Sequence, residues 1–306
     1  MLKVARILCP TDFSEASKHA LDHALLWTDL CGAELLLLHV LALRSADPFN
    51  PEHHFPSQEE LEKRLHSLAT SEMAALVAPH RHRELEIREL VRNAPSVERG
   101  ILDFAAAENA DLLVLGTHGR RGAAHLLMGS VATEVLRRSD RPVLVVGERD
   151  GRPPGRLERV LAATDFSEPS KVAVRHAIAL AKEVGAQLEL FHVLPDLEVP
   201  LPINPADGGL APAIVRDLEP ATLAALDDLA KQLGEGMAIE TEVWHGPAAA
   251  TILNRAIETR ADLIVVATQG HTGLDRLLLG SVAERVARLA PCPVLVVPAH
   301  GRSLLP

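Results

Sequence analysis

Tyrosine is absent from this chain, and aromatic residues together make up only 3% of it. Proteins that hold single-stranded nucleic acid stack bases on exposed rings, so this scarcity argues against a nucleic-acid polymer as ligand. Positive charge is short as well. Lys and Arg number 31 against 41 Asp and Glu, a formal net charge of -10 at pH 7, whereas a general nucleic-acid binder carries a basic footprint. Cysteine occurs three times, at Cys9, Cys31 and Cys292. An odd number in no metal-like spacing argues against a disulfide framework and fits a reducing compartment. No apolar run approaches the roughly 20 residues needed to cross a bilayer. The first residues read as a strand carrying Lys3 and Arg6 rather than as a signal peptide. The expectation is a cytoplasmic protein with neither a membrane nor a nucleic-acid polymer as partner.

Several catalytic signatures are missing too. There is no Gly-x4-Gly-Lys-Ser/Thr loop, no Gly-x-Ser-x-Gly elbow, no His-Glu-x-x-His and no Cys-x-x-Cys. The dense histidine clusters, His53-His54 and His80-x-His82, lack a matching Cys or carboxylate frame, so they support adventitious metal binding at most. The chain reads as a binding protein before it reads as an enzyme.

What is present is present twice. Gly116-Thr-His-Gly119, nine residues, then Gly129-Ser130 returns as Ala267-Thr-Gln-Gly270, nine residues, then Gly280-Ser281. At a usual glycine frequency of about 7%, two more glycines at fixed offsets follow a given one about once in 200 cases; recurrence in a second matching frame removes chance. Thr11-Asp-Phe-Ser-Glu15 also matches Thr164-Asp-Phe-Ser-Glu168, His39-Val-Leu41 matches His192-Val-Leu194, and Pro142-Val-Leu-Val-Val146 matches Pro293-Val-Leu-Val-Val297. The offset is 153 residues at Asp12 and Asp165 and 151 at Gly129 and Gly280. The 306 residues therefore divide into two domains, each long enough to bury its own core. The stretch Gly147 to Gly155, with Pro153-Pro154, reads as a joint. This predicts domains over 1–147 and 157–298, a linker over 148–156 and a C-terminal tail over 299–306.

Within each copy, short apolar runs alternate with helical patterns, the mark of βαβ units and a parallel sheet. In the first copy the runs predict strands near 3–9, 34–40, 84–91, 111–116 and 142–147, with helices near 14–31, 57–78, 95–108 and 129–138. Ser14 suits the N-cap of the first helix and Gly32 its stop; Ser167 or Ser170, and Gly185, play these parts in the second copy. The Pro-rich stretches Arg44 to Ser57 and Pro195 to Ala213 read as long loops after the second strand of each copy.

Ligands of such sheets bind beyond the carboxyl ends of the strands, where strand order reverses. The repeated motif leaves the strand ending at Leu115 and enters a helix at Gly129-Ser130. Small residues permit close backbone approach, and the first N–H groups of the helix, with the Ser130 hydroxyl, suit a phosphate. Asp12 and Asp165 have a second reading as holders of the strand-to-helix turn. Arg120 and Arg121 either pair with phosphate oxygens or stand as solvated loop charges, and His39 and His192 read as core histidines.

The spacing Gly-x2-Gly-x9-Gly-Ser, with Thr-Asp-Phe-Ser after the first strand and Pro-Val-Leu-Val-Val at the last, resembles the universal stress protein family in its tandem two-domain form. The resemblance implies an α/β fold of the Rossmann-like adenine nucleotide alpha hydrolase type. Each domain would be a five-stranded parallel sheet of order 3-2-1-4-5 flanked by helices. It also implies ATP or a related adenine nucleotide as ligand, with or without Mg²⁺. By matching position, the first site would comprise Pro10, Thr11, Asp12, Val40, Gly116, Gly119, Arg120, Gly129, Ser130 and Val131. The second would comprise Thr164, Asp165, Val193, Ala267, Gly270, Gly280, Ser281 and Val282. Ala267 stands where the first copy has Gly116, and Ala163 where it has Pro10, so the second site is expected to be the weaker. The implied function is stress-response regulation through a protein partner, as a homodimer. A slow ATP hydrolase or phosphotransferase, and a nucleotide-free adaptor, are the alternatives.

Overall fold

The computed structural model describes residues 2–42, 58–117, 128–147, 155–195, 210–270 and 279–306. The chain forms two compact units, one of Leu2–Gly155 with Gly301–Pro306 and the other of Arg156–His300. The order of elements follows from the apolar pattern. In the first unit β1 (Arg6–Pro10), α1 (Glu15–Cys31), β2 (Glu34–Ala42), α2 (Gln58–Val77), β3 (Ile87–Ala94), α3 (Val97–Ala107), β4 (Leu112–Gly116), α4 (Ser130–Arg138) and β5 (Val143–Val146) alternate. The strands run parallel in the order β3-β2-β1-β4-β5. Right-handed crossovers then place α1 and α2 on one face and α3 and α4, which pack on each other, on the opposite face.

A sheet covered on both faces buries every residue of its central strands, which is why they read as unbroken apolar runs. Leu35 to Leu38 are fully buried, as are Leu112 to Val114, and Val143 to Val146 are nearly so. Helix α1 is bounded by the expected residues. Ser14 caps it by accepting a hydrogen bond from the Ser17 N–H, and Gly32 ends it in the left-handed region at φ 62°. The predicted β3 starts late. A 3₁₀ turn, Ala78–Arg83, ends at Glu84 with φ 53° and delays the strand to Ile87.

The second unit repeats the pattern as β6 (Arg159–Ala163), α5 (Glu168–Val184), β7 (Gln187–Leu194), α6 (Leu210–Gly234), β8 (Glu240–His245), α7 (Ala248–Thr259), β9 (Leu263–Ala267), α8 (Ser281–Leu289) and β10 (Val294–Val297). Its order is β8-β7-β6-β9-β10, again parallel throughout. Each sheet thus has the expected order 3-2-1-4-5. Ser167, not Ser170, is the cap of α5, and Gly185 stops it at φ 69°. Helix α6 begins inside the stretch expected to be a loop. Pro212 falls in its first turn, where a missing N–H costs no helical hydrogen bond. The remainder of that loop, and residues 43–57 after β2, lie outside the described residues.

The C-terminal tail is part of the first unit. The Lys3 N–H donates to the Leu304 carbonyl at 2.7 Å, and Leu304 is fully buried. The Arg302 guanidinium donates to Asp111 Oδ1 at 2.8 Å and to Asn109 Oδ1 at 2.6 Å.

Candidate functional site

At the carboxyl end of β1 the chain turns sharply into α1, and polar side chains hold the turn. The Thr11 N–H donates to the Leu38 carbonyl of β2 at 2.8 Å. Thr11 Oγ1 accepts from the Phe13 N–H at 3.1 Å and meets Ser17 Oγ at 3.1 Å. Asp12 Oδ1 accepts from the Ser14 N–H at 3.1 Å and from Ser14 Oγ at 2.5 Å. The second copy reproduces these contacts with Thr164, Asp165, Ser167 and Ser170. The turn-holding reading of both aspartates is therefore correct for one carboxylate oxygen, while the helix cap itself is the serine two residues on.

Sequence reasoning missed the residue that makes the turn. Phe13 and Phe166 each adopt φ 65°, a left-handed conformation that is rare for a bulky side chain and collects at functional sites. Each ring lies on a histidine from the second strand: Phe13 on His39 with centroids 4.6 Å apart, Phe166 on His192 at 4.8 Å. The same histidines approach the threonine carbonyls through Nδ1, at 2.7 Å in both copies. A carbonyl oxygen only accepts, so Nδ1 carries the proton. Only the repetition of Asp-Phe-Ser beside His-Val hinted at this pairing.

The other wall comes from β4 and α4. Thr117 is buried, its N–H bonded to the Val146 carbonyl and its own carbonyl accepting from the Gly129 N–H at 2.7 Å. Thr268 and Gly280 do the same in the second copy, also at 2.7 Å. Gly129 and Gly280 are the N-caps of α4 and α8, and neither helix has a side-chain cap. The first N–H groups, at Ser130 and Val131 and at Ser281 and Val282, are thus left for an external acceptor by helix geometry, with the positive end of the helix dipole behind them. Ser130 and Ser281 are exposed.

In the second copy the two walls meet. A Cβ built on Gly270 would run into Asp165 Oδ2, so the loop backbone passes directly against the carboxylate. A side chain there would have to displace the Asp165 carboxylate. The matching Gly119, with Arg120 and Arg121, lies outside the described residues. Val40 is buried beside the Cα of Gly100, whereas Val193 is half-buried.

Gly116 has a packing reason that its spacing does not show. A Cβ there would lie 2.7 Å from the Ala16 carbonyl oxygen and 2.9 Å from its carbon, so the glycine answers to the approach of α1. In the second copy Ala267 stands beside α5, where Pro169 takes the place of Ala16. Pro10 and Ala163 each end their first strand, paired with Leu38 and Phe191.

Among the described residues no group of three or more His, Cys, Asp or Glu side chains could hold a metal ion. Among them, too, no helix is long and apolar enough to cross a membrane. Among the described residues the cysteines form no disulfide, and burial pushes the Cys9 thiol up to about 12, with Asp22 adding to the shift.

The family model described as universal stress protein family matches residues 3–147 and again 156–298. A universal stress protein of Methanocaldococcus jannaschii is 39% identical over 142 residues, covering 46% of this chain and 81% of the relative. One from Mycolicibacterium smegmatis is 29% identical over 299 residues, 95% of this chain and 96% of its own length. Among solved structures, a universal stress protein from Archaeoglobus fulgidus aligns over 96% of this chain and 98% of its own, with a TM-score of 0.63 at 24% identity. That likeness is one of fold.

Proposed function

Because the chain belongs to the universal stress protein family, its model matching both halves, we propose that it is a regulatory protein that binds adenine nucleotide, ATP foremost, at the carboxyl end of each sheet. One observation carries the reading. In both copies a helix with no side-chain cap opens beside a polar turn at the point where strand order reverses, the arrangement that suits a phosphate at one end and a nucleoside at the other. Asp12, Val40, Gly129, Ser130 and Val131 are the residues of the first site, joined by Gly119 and Arg120 from the loop. Asp165, Val193, Gly270, Gly280, Ser281 and Val282 form the second.

In this reading occupancy is sensed by a protein partner during stress, in the cytoplasm and as a homodimer. Mg²⁺ would accompany the phosphates, and turnover is no more than a weak ATPase activity. Three cysteines without a disulfide among the described residues suit a reducing compartment.

A melting curve with and without ATP tests the proposal. At 100 times its Kd the ligand stabilises the unit that binds it by about 2.7 kcal/mol. At about 2–4 °C per kcal/mol for units of this size, the expected rise in Tm is about 5–11 °C. An unchanged Tm at millimolar ATP, with no nucleotide detected by mass spectrometry after gentle purification, refutes it.

A further inference from the structure

The second unit has another concave site, at the opposite end of its strands. A cavity of about 200 Å³ opens where β6, β7 and β8 begin, lined by Arg159, Gln187, Glu189, Glu240, Arg255 and Thr259 above apolar side chains of β6 and β7. The first unit places ion pairs at the equivalent end of its strands. Arg6 Nε meets Glu34 at 3.0 Å, Arg88 Nε meets the same carboxylate at 3.2 Å, and Arg88 also pairs with Glu108, whose carbonyl accepts from Arg6 at 2.8 Å. Three side-chain ion pairs link Arg6, Glu34, Arg88 and Glu108, and the main-chain carbonyl of Glu108 closes the ring onto Arg6.

Strand register identifies the equivalents. Arg6 lies opposite Glu34 as Arg159 lies opposite Gln187, and Leu36 opposite Arg88 as Glu189 opposite Glu240. The second copy has thus lost the central carboxylate to Gln187 and reversed the charge of Arg88 to Glu240. Helix numbering puts Thr259 where Glu108 was. The ring cannot close. The side chains of Arg159 and Glu240 have no hydrogen-bond or ion-pair partner among the described residues, and they face the same cavity with opposite charge.

Beneath them a charge is buried where the first copy has none. Leu36 of the first copy is fully buried; its counterpart Glu189 has a side chain only 9% exposed. Arg255 grips it through Nε at 2.7 Å and Nη2 at 3.2 Å, with the guanidinium over the Trp244 ring at 5.1 Å. Burial still pushes the Glu189 carboxyl above the usual carboxylate range, against the pull of Arg255. Buried ion pairs of this kind are weak contributors to stability, and perturbed groups in a cleft mark functional sites.

We propose that this cavity binds a small zwitterion, a free α-amino acid, with its carboxylate on Arg159 and the Gln187 amide and its ammonium on Glu240 above Glu189. The volume suits a ligand of that size, and paired opposite charges reject molecules that carry only one. The cavity lies at the opposite end of the strands from the site proposed for nucleotide.

Calorimetric titration of the full chain with the standard free α-amino acids tests the proposal, alongside the amine and the acid obtained by removing one charged group from each. At least one amino acid is expected to bind with one site per chain, and its two single-charge analogues about tenfold more weakly or worse. Arg159→Gln and Glu240→Gln, both exposed and free of internal partners, should each weaken binding about tenfold, while Arg6→Gln in the first copy leaves it unchanged. No heat of binding from any amino acid at millimolar concentration overturns the proposal. So does binding that survives in the Arg159→Gln/Glu240→Gln double variant.

Discussion

Replacing Gly116 with alanine separates two explanations of a glycine that spacing alone merges. If the residue is small so that a ligand can approach the backbone, alanine should lower nucleotide affinity and leave the fold alone. The contact with α1 predicts the reverse. The new Cβ would sit 2.7 Å and 2.9 Å from the oxygen and carbon of the Ala16 carbonyl, closer than a carbon tolerates. Both atoms are backbone, held in the first turn of a helix that is itself capped by Ser14. No rotamer change relieves the clash, so either β4 or α1 must shift. Overpacking of this kind costs about 1–3 kcal/mol, and with about 2–4 °C lost per kcal/mol the first unit should melt about 2–12 °C lower.

The assay must see one unit at a time, because a two-unit chain need not unfold in one step. The chain has two tryptophans, Trp27 fully buried in α1 of the first unit and Trp244 on β8 of the second. In a Trp244→Phe background, the intrinsic fluorescence reports the first unit alone. Gly116→Ala should lower that transition and leave ATP affinity per folded molecule within about twofold, a change of about 0.4 kcal/mol. An unchanged transition combined with weakened ATP binding would refute the packing argument and restore the ligand as the reason for the glycine.

Gly270 offers the complementary case. A side chain there meets the Asp165 carboxylate rather than helix backbone, so Gly270→Val should remove ATP from the second site while the first is retained; equilibrium dialysis should read one nucleotide per chain instead of two. His23 gives a pH signature. Burial, with His19 adding to it, pushes the imidazole down to about 4, so the native state holds it neutral while the unfolded chain protonates near 6.5. The unfolded state therefore binds more protons between these values, and stability present above pH 6.5 is lost as pH falls toward 4, by about 3 kcal/mol in all. His23→Gln should flatten that limb of the Trp27 transition; an identical pH profile in the variant would show that other groups carry the acid sensitivity.

Where a sequence signal and a packing demand coincide, the fold was legible. Leu35 to Leu38 and Leu112 to Val114 are apolar without interruption because both faces of their strands are covered, and Gly32 and Gly185 stop their helices because only the left-handed region fits there. Phe13 and Phe166 were illegible for the converse reason. Local preference places Gly or Asn at φ 65°, and the aromatic is held there by a histidine from another strand, 26 residues along in each copy. The packing role of Gly116 was illegible in the same way, since its spacing matches a ligand loop while a Cβ there would meet a helix. Ser14 was legible as the cap of α1 from its place just ahead of the helical pattern, whereas in the second copy the choice between Ser167 and Ser170 depended on a hydrogen bond from the Ser170 N–H that composition does not reveal.

Duplication also lets each copy act as the control for the other. In the first, the Arg92 guanidinium of β3 lies 5.6 Å from the centre of the Phe104 ring on α3. In the second, the aromatic is on the strand, Trp244, and the guanidinium on the helix, Arg255. Arg92 lies opposite Val40 and Trp244 opposite Val193, so the same interaction occupies the same place with its partners exchanged. The exchange has an electrostatic consequence. Arg92 is exposed and stays hydrated at the sheet edge, whereas Arg255 is largely buried and reaches inward over the sheet. A guanidinium in that position requires a carboxylate within reach, and Glu189 in the place of Leu36 supplies it. Because the first copy achieves its stacking with no buried charge at position 36, cation–π packing alone does not account for Glu189. The ion pair instead coincides with the strand-end where the surface ring of the first copy has been opened, and its location, beneath Arg159 and Glu240, is where the second unit departs from the first.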